Sequence, residues 1–224
     1  MTLNDEVINF NPHWQMRKID SAITDTTNID GNRLEISIHH HVLSGVTPAM
    51  IVWWFKNFQE FPESRNARYV KYRGRKIPSF SFWHPFENIH CKIKKYGIGN
   101  STGFSKGAEF EIEEKLGDDN FSSRVHVDRI DESGLELSSY KGLIKIAEFK
   151  HYFIESLNGT IYESSAVIGS YIPVFGRFIT SLVRNTYFTD KMSHAWIRHT
   201  VEEVGNFEKF LPSLYEFGFE NAFD

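Results

Sequence analysis

The sequence predicts an α+β domain in which one curved antiparallel sheet holds a long C-terminal helix and leaves an internal cavity between them. Short runs of alternating apolar and polar residues, parted by Gly, Asn or Asp, fill the middle of the chain, which is the mark of antiparallel hairpins. Near the C-terminus the pattern changes to helical spacing: Trp196, Thr200, Val204, Phe207, Phe210 and Leu211 fall on one stripe at about 100° per residue. At 224 residues the chain suits one domain with a sizeable core.

Residues 1–32 are polar, with NIDGN at 28–32 marking a turn, and read as an N-terminal arm, irregular or a short strand leading into a domain over 33–224. From Arg33 the chain alternates, so Leu34, Ile36, Ile38, His40 and Val42 share a strand face that closes at Ser44 and Gly45. Thr47 followed by Pro48 is a cap with proline at the first helical position, and the helix it opens is expected to reach Phe61 before Pro62 breaks it. KYRGRKIPSFSFWHP reads as a glycine turn and an extended segment ending at Pro85. The segments starting at Asn88, Gly107, Phe121, Gly134 and Gly159 read as an antiparallel meander. A short helix is expected over Pro173 to Tyr187, and a last one, capped by Thr189 or Asp190, runs to Pro212. No internal repeat or low-complexity segment appears.

A formal net charge of −4 with no basic block argues against a nucleic-acid surface. No apolar run approaches the roughly 18–20 residues that span a bilayer. MTLNDEVINFNPHW lacks a charged-then-apolar leader, so a cytoplasmic protein is expected. Cys91 is the single cysteine, which leaves nitrogen and oxygen to hold any metal within one chain. The 20 phenylalanines suit a ring-lined pocket and equally an ordinary dense core.

Several polar residues fall on core-facing sides. Glu203 sits about 20° from Trp196 in the apolar stripe, whereas its neighbour Glu202 projects to the other side, towards water beside Arg198 and Lys209. His199, one turn before Glu203, can converge with it on one point. In GAEFEIEEKLG, Glu114 shares the face of Ala108, Phe110 and Ile112. In SFSFWHPF, His84 continues the face of Phe80 and Phe82, and in IAEFKHYFIE, His151 shares that of Ala147, Phe149 and Phe153. A carboxylate facing a core costs several kcal/mol unless a cation or partner compensates it. Inward histidines and carboxylates make a hard donor set suited to zinc, with manganese or iron as competitors. Other histidines fare worse as ligands: the His39–His41 triplet sends only His40 inward, and His90, His126 and His194 read as outward.

HHHVLSGVTPAMIVWWFKNF, FWHPFENIH, GAEFEIEE and HAWIRHTVEEVGNFEKFLP, in this order, resemble the diacetylphloroglucinol hydrolase family, which includes phloretin hydrolase. The similarity runs from about residue 33 to 215. It implies a helix-grip fold, a homodimer, and zinc-dependent hydrolysis of the carbon–carbon bond between an acyl group and an aromatic ring. It also implies His84, Glu114, His199 and Glu203 as metal ligands, the same four that include the inward-facing residues above. The chain departs from the family where Glu87 and Asn88 replace an Asp and a His after WHP, and where Ile77 replaces an aromatic residue; both places border the substrate in the family. Breaking an aryl–acyl bond requires a proton on the ring, and His151 is the candidate donor, with Tyr162 positioned for a ring hydroxyl and Glu87 as a further catalytic candidate. The other class to weigh is a non-catalytic carrier of an apolar aromatic or polyketide ligand, since such a cavity serves either use.

Overall fold

A computed structural model describes residues 11–59, 68–99 and 103–223. The expected end of the first helix at Phe61 and the break at Pro62 lie outside the described residues. The strands are β1 (Ala22–Ile29), β2 (Arg33–His40), β3 (Leu43–Ser44), β4 (Tyr69–Tyr72), β5 (Arg75–Pro78), β6 (Asn88–Lys95), β7 (Glu109–Leu116), β8 (Asp119–Asp131), β9 (Gly134–Lys141), β10 (Ile144–Ser156) and β11 (Gly159–Ile168). The helices are α1 (Pro48–Asn57), α2 (Ser79–Trp83), α3 (Gly176–Thr186) and α4 (Asp190–Phe217).

Nine strands form one antiparallel sheet in the order β1-β2-β11-β10-β9-β8-β7-β6, with β3 attached to β11, and β4 and β5 make a separate hairpin. Consecutive strands pair from β6 to β11, as short loops between alternating runs require. The inner face carries Leu34, Ile36, Ile38, Phe110, Val125, Leu135, Phe149 and Phe153, all buried, and α4 lays Trp196, Val204, Phe207, Phe210 and Leu211 against that side. This is the α+β helix-grip arrangement the alternation and the helical stripe predicted. Trp54 of α1 and Phe58, which follows its last residue, complete an aromatic core with Trp83, Phe104 and Phe207. Each such ring contributes about 1.5–3 kcal/mol by leaving water.

Several element boundaries differ from the sequence reading: β2 ends at His40 and leaves Val42 exposed beyond it, and α3 begins at Gly176 and not at Pro173. Residues 22–29 of the arm are a strand that pairs with β2 along its whole length, so the sheet begins before residue 33. Helix α1 ends at Asn57, short of Phe61; its start is as read, with the Thr47 side chain accepting from the Met50 amide at 3.3 Å. SFSFW is a short helix and not an extended segment, because Ser79 donates to the carbonyls of Phe58 and Arg68 and starts a turn there. Helix α4 continues through Pro212 to Phe217: burial of Phe210, Leu211 and Leu214 outweighs the hydrogen bond that proline removes, and Gly218 ends the helix.

The segment before β1 straps α4 to the sheet. Arg17 donates to the carbonyls of His41 and Val42 at 3.1 and 3.2 Å and pairs with Glu208 at 2.8 Å. Its stem fills the space beside Gly205, where an added Cβ would lie 2.3 Å from Arg17 Cδ.

Candidate metal and ligand site

Helix α4 sets His199 and Glu203 one turn apart on its inward side, and β7 brings Glu114 to them from the sheet. Nε2 of His199 lies 3.8 Å from Oε1 of Glu114 and 3.7 Å from Oε1 of Glu203. These three donors fall within 4.8 Å of one another, a grouping that could hold a metal ion. His84 follows α2 directly, and its ring stacks on that of His199 at 4.5 Å between centres and 22° between planes. With Glu87 and His199 it makes a second, overlapping group of donors. His84 is thus beside the cluster, although it arrives from a helix end and not from a strand face.

A surrounding layer orients these groups. Nδ1–H of His199 donates to Oε2 of Glu87 at 2.8 Å, which leaves Nε2 as the free donor atom. The Gly117 amide donates to Oε1 of Glu87 at 2.9 Å, and Arg198 pairs with the same oxygen. Asn88 donates to Oε1 of Glu203 at 2.9 Å, and the indole of Trp83 donates to the Glu203 carbonyl, also at 2.9 Å. Glu202 does not simply face water: it accepts from Nε2 of His84 at 3.1 Å and from Arg198 at 3.3 Å.

The electrostatics follow from burial and this crowding of charge. Burial pushes the Glu114 carboxyl up to about 7; His199 opposes this, and the Glu203 and Glu87 carboxylates add to it. Burial works against charge on His199, but Glu114, Glu203 and Glu87 outweigh it and hold its pKa well above the usual value. Glu87 is held at about 2 in spite of burial, by hydrogen bonds from His199, Gly117 and Arg198. Burial, then the neighbouring His199 ring, lowers His84, against the bond to Glu202. With Glu87 balanced by Arg198, a protonated His199 offsets one of the two inner carboxylates, Glu114 and Glu203, and a divalent cation that displaced its proton would balance both. Nε2 of His199 and Nδ1 of His84 are buried without hydrogen-bond partners. A divalent cation of the zinc, manganese or iron class fits that donor set.

Glu114, His199 and Glu203 form the charged end of a partly open cavity of about 100 Å³. The remaining wall is chiefly aromatic and aliphatic, with Phe55, Phe104, Phe121, Phe149 and Trp196 among its residues. His151 and Tyr162 line the same space, their rings 5.6 Å apart edge to face. Burial drives the His151 pKa down to about 4, against the pull of Glu203, and raises that of Tyr162 well above the usual phenol range. Both are therefore neutral near pH 7, able to donate hydrogen bonds without carrying charge.

The substrate-bordering expectation for the family departures needs correction. Glu87, Asn88 and Ile77 are not among the cavity-lining residues. Glu87 is committed to His199, Arg198 and Gly117, Asn88 to Glu203 and the Phe80 carbonyl, and Ile77 packs in the core opposite Val70 in the β4–β5 hairpin. Glu87 and Asn88 thus reach the cavity through the residues they hold. Of the other histidines, His39, His41 and His194 are exposed, His90 and His126 are partly buried beside outer-face carboxylates, and His40 is buried against Ser164. Sequence reasoning missed the contribution of Glu202, which its own helix gives no sign of.

No family model matches the sequence, and no curated protein matches it. Solved structures to which it is similar include that of Ara h 8.0201, with TM-score 0.46 at 11% identity over 85% of this chain and 99% of that one. The ginseng major latex-like protein 151 from Panax ginseng has TM-score 0.48 at 7% identity over 79% and 95% of the two chains. A START superfamily protein from Mycobacterium smegmatis has TM-score 0.39 at 12% identity over 82% and 98%. At this distance no function transfers. The chain's own sheet and gripped helix establish its helix-grip fold, and no helix among the described residues is long and apolar enough to cross a membrane.

Proposed function

We propose that the protein is a metal-dependent hydrolase that cleaves the carbon–carbon bond between an acyl group and an aromatic or polyketide ring. The observation that carries this reading is Nε2 of His199, buried without a hydrogen-bond partner and facing two carboxylates at the charged end of an aromatic-lined cavity. A carrier of apolar ligands gains nothing from that arrangement, because each buried carboxylate costs stability unless compensated. The sequence resemblance to the diacetylphloroglucinol hydrolases points to the same residues and supplies the reaction class.

In this reading His84, Glu114, His199 and Glu203 hold the ion, zinc by preference for a nitrogen-and-oxygen set. Bound there, it would polarise the acyl carbonyl and ease ionisation of water. Glu87 fixes the ring of His199 with Nε2 forward, and Glu202 does the same for His84 from its Nε2 side. The aromatic walls receive the ring and exclude water from it. His151, neutral at rest, takes up a proton released by the hydrolytic water and passes it to the ring carbon, which makes that carbon a competent leaving group, and Tyr162 takes a ring hydroxyl. The products are a short carboxylic acid and the ring compound carrying hydrogen in place of the acyl group.

The test is elemental analysis of the purified protein, followed by product analysis on a panel of mono- and diacylated phenols. Stoichiometric metal with release of a carboxylate from at least one acylated phenol supports the reading. Binding of the panel without cleavage by metal-loaded protein replaces it with the carrier.

A further inference from the structure

Behind the cavity wall, two histidines share one serine hydroxyl. His151 of β10 stands opposite Ser164 of β11, and Ser164 stands opposite Ile38 of β2, so His40 lies two residues along the same inner face. Ser164 Oγ is 3.2 Å from Nδ1 of His151 and 3.0 Å from Nε2 of His40. Ser164 and His40 are 2% and 6% exposed, and Nδ1 of His40 is buried without a partner. Tyr162 packs edge-on against both imidazoles, at 5.4 Å from His40 and 5.6 Å from His151.

A hydroxyl has a single proton to donate. The two ring nitrogens are the hydrogen-bond partners of Ser164 Oγ among the described residues, so it donates to one and accepts from the other, and the proton positions of the two histidines are coupled. In one arrangement His40 donates Nε2–H to Ser164, Ser164 donates to Nδ1 of His151, and His151 carries its proton on Nε2. In the other every proton is reversed: His151 donates Nδ1–H, Ser164 donates to His40, and His40 is left with a buried Nδ1–H that has no acceptor. Buried donors without partners are rarer in proteins than under-satisfied acceptors. The first arrangement leaves only a bare nitrogen on His40 and is the one the site favours.

We propose that His40, acting through Ser164, holds His151 as the Nε2–H tautomer, so that the cavity presents a hydrogen-bond donor to an oxygen of the bound ligand. His40 and Ser164 are positioning residues, and the ligand class they select carries a carbonyl or phenol oxygen on an apolar ring. This deepens the proposed function, in which His151 serves the substrate ring, but it concerns the resting protein and is read without turnover.

The experiment is long-range proton–nitrogen correlation NMR of the ¹⁵N-labelled full chain, with the two rings assigned from His40→Gln and His151→Gln spectra. The expected result is a proton on Nε2 in both rings, with Nδ1 of His151 shifted by its hydrogen bond. Ser164→Ala should return that Nδ1 resonance to the position of an unbonded nitrogen. His40→Glu, an acceptor where the parent has a donor, should turn the hydroxyl round and move the His151 proton to Nδ1. A proton on Nδ1 of His151 in the parent, an Nδ1 resonance unchanged by Ser164→Ala, or a tautomer unchanged in folded His40→Glu each overturns the inference. If His40→Glu does not fold, the parent and Ser164→Ala spectra decide. Absence of hydrolysis would remove the proposed reaction and leave these spectra unaffected.

Discussion

Glu202, which helical geometry turns away from the apolar stripe, accepts a hydrogen bond at 3.1 Å from the buried ring of His84. Its neighbour Glu203 faces the cavity and His199. The two adjacent glutamates therefore serve opposite sides of one cluster, Glu203 facing His199 and the cavity and Glu202 supporting the ring of His84. Glu203→Gln should abolish stoichiometric metal. Glu202→Gln should retain metal at saturation but weaken its binding by about 10–100-fold, the usual cost of losing an outer partner of a ligating histidine. Titration of both variants with zinc and a competing chelator separates the cases; equal affinities would remove the distinction.

Glu87 supports His199 from the far side while also pairing with Arg198. Glu87→Ala should leave the ring free to rotate and strand Arg198, lowering metal affinity by about 10–100-fold and stability by about 1–3 kcal/mol. Urea unfolding and metal titration on the same sample measure both. A variant with parental affinity would mean that packing alone orients His199.

His151→Ala should keep its metal, since no ligand role falls to His151, and lose turnover by about 10²–10⁴-fold, the range for a positioned proton donor. Loss of metal together with activity would move His151 into the coordination sphere.

Acid should weaken the fold in a defined window. His40 and His151 have folded-state pKa values of about 3 and about 4, lowered chiefly by burial from 6.5. As pH falls below 6.5 the unfolded chain binds protons that the folded one refuses, so stability declines from there to about pH 4 and the histidine contribution levels off near pH 3. Glu87, held at about 2 against an ordinary 4.5, adds a further loss as pH falls from 4.5 to about 2. Glu114, raised to about 7, works the other way between pH 7 and 4.5, so urea unfolding over pH 7.5 to 4.5 should show a histidine slope partly offset by it, and His40→Gln, which can still bond Ser164, should lower that slope by the His40 share. An unchanged slope would assign the acid sensitivity to other groups.

Periodicity exposed those residues whose environment is set by their own element. Glu114 and His151 stand out because a strand alternates, and His199 with Glu203 because a helix repeats every four residues. His84 was reached through an assumed strand alternation, whereas it follows a five-residue helix, so its place beside His199 comes from tertiary packing. Glu202 and Glu87 acquire their partners only when the turn after α2 meets α4, and no pattern within one segment records that meeting. Pro212 misled for a related reason: a local rule against proline in helices is overridden by the buried side chains on both sides of it.

The strap of Arg17 across Gly205 governs more than the attachment of the N-terminal segment. Moving α4 along its axis by one residue, about 1.5 Å, would drag Gly205 from under the arginine stem and break its links to Glu208 and to the two carbonyls after β2. Gly205 is two residues beyond Glu203, so the strap acts as an external gauge for the span between the helix donors and Glu114 on the sheet. A side chain at position 205 would meet the Arg17 stem on the outer side of the helix and still alter the spacing of His199 and Glu203 from Glu114.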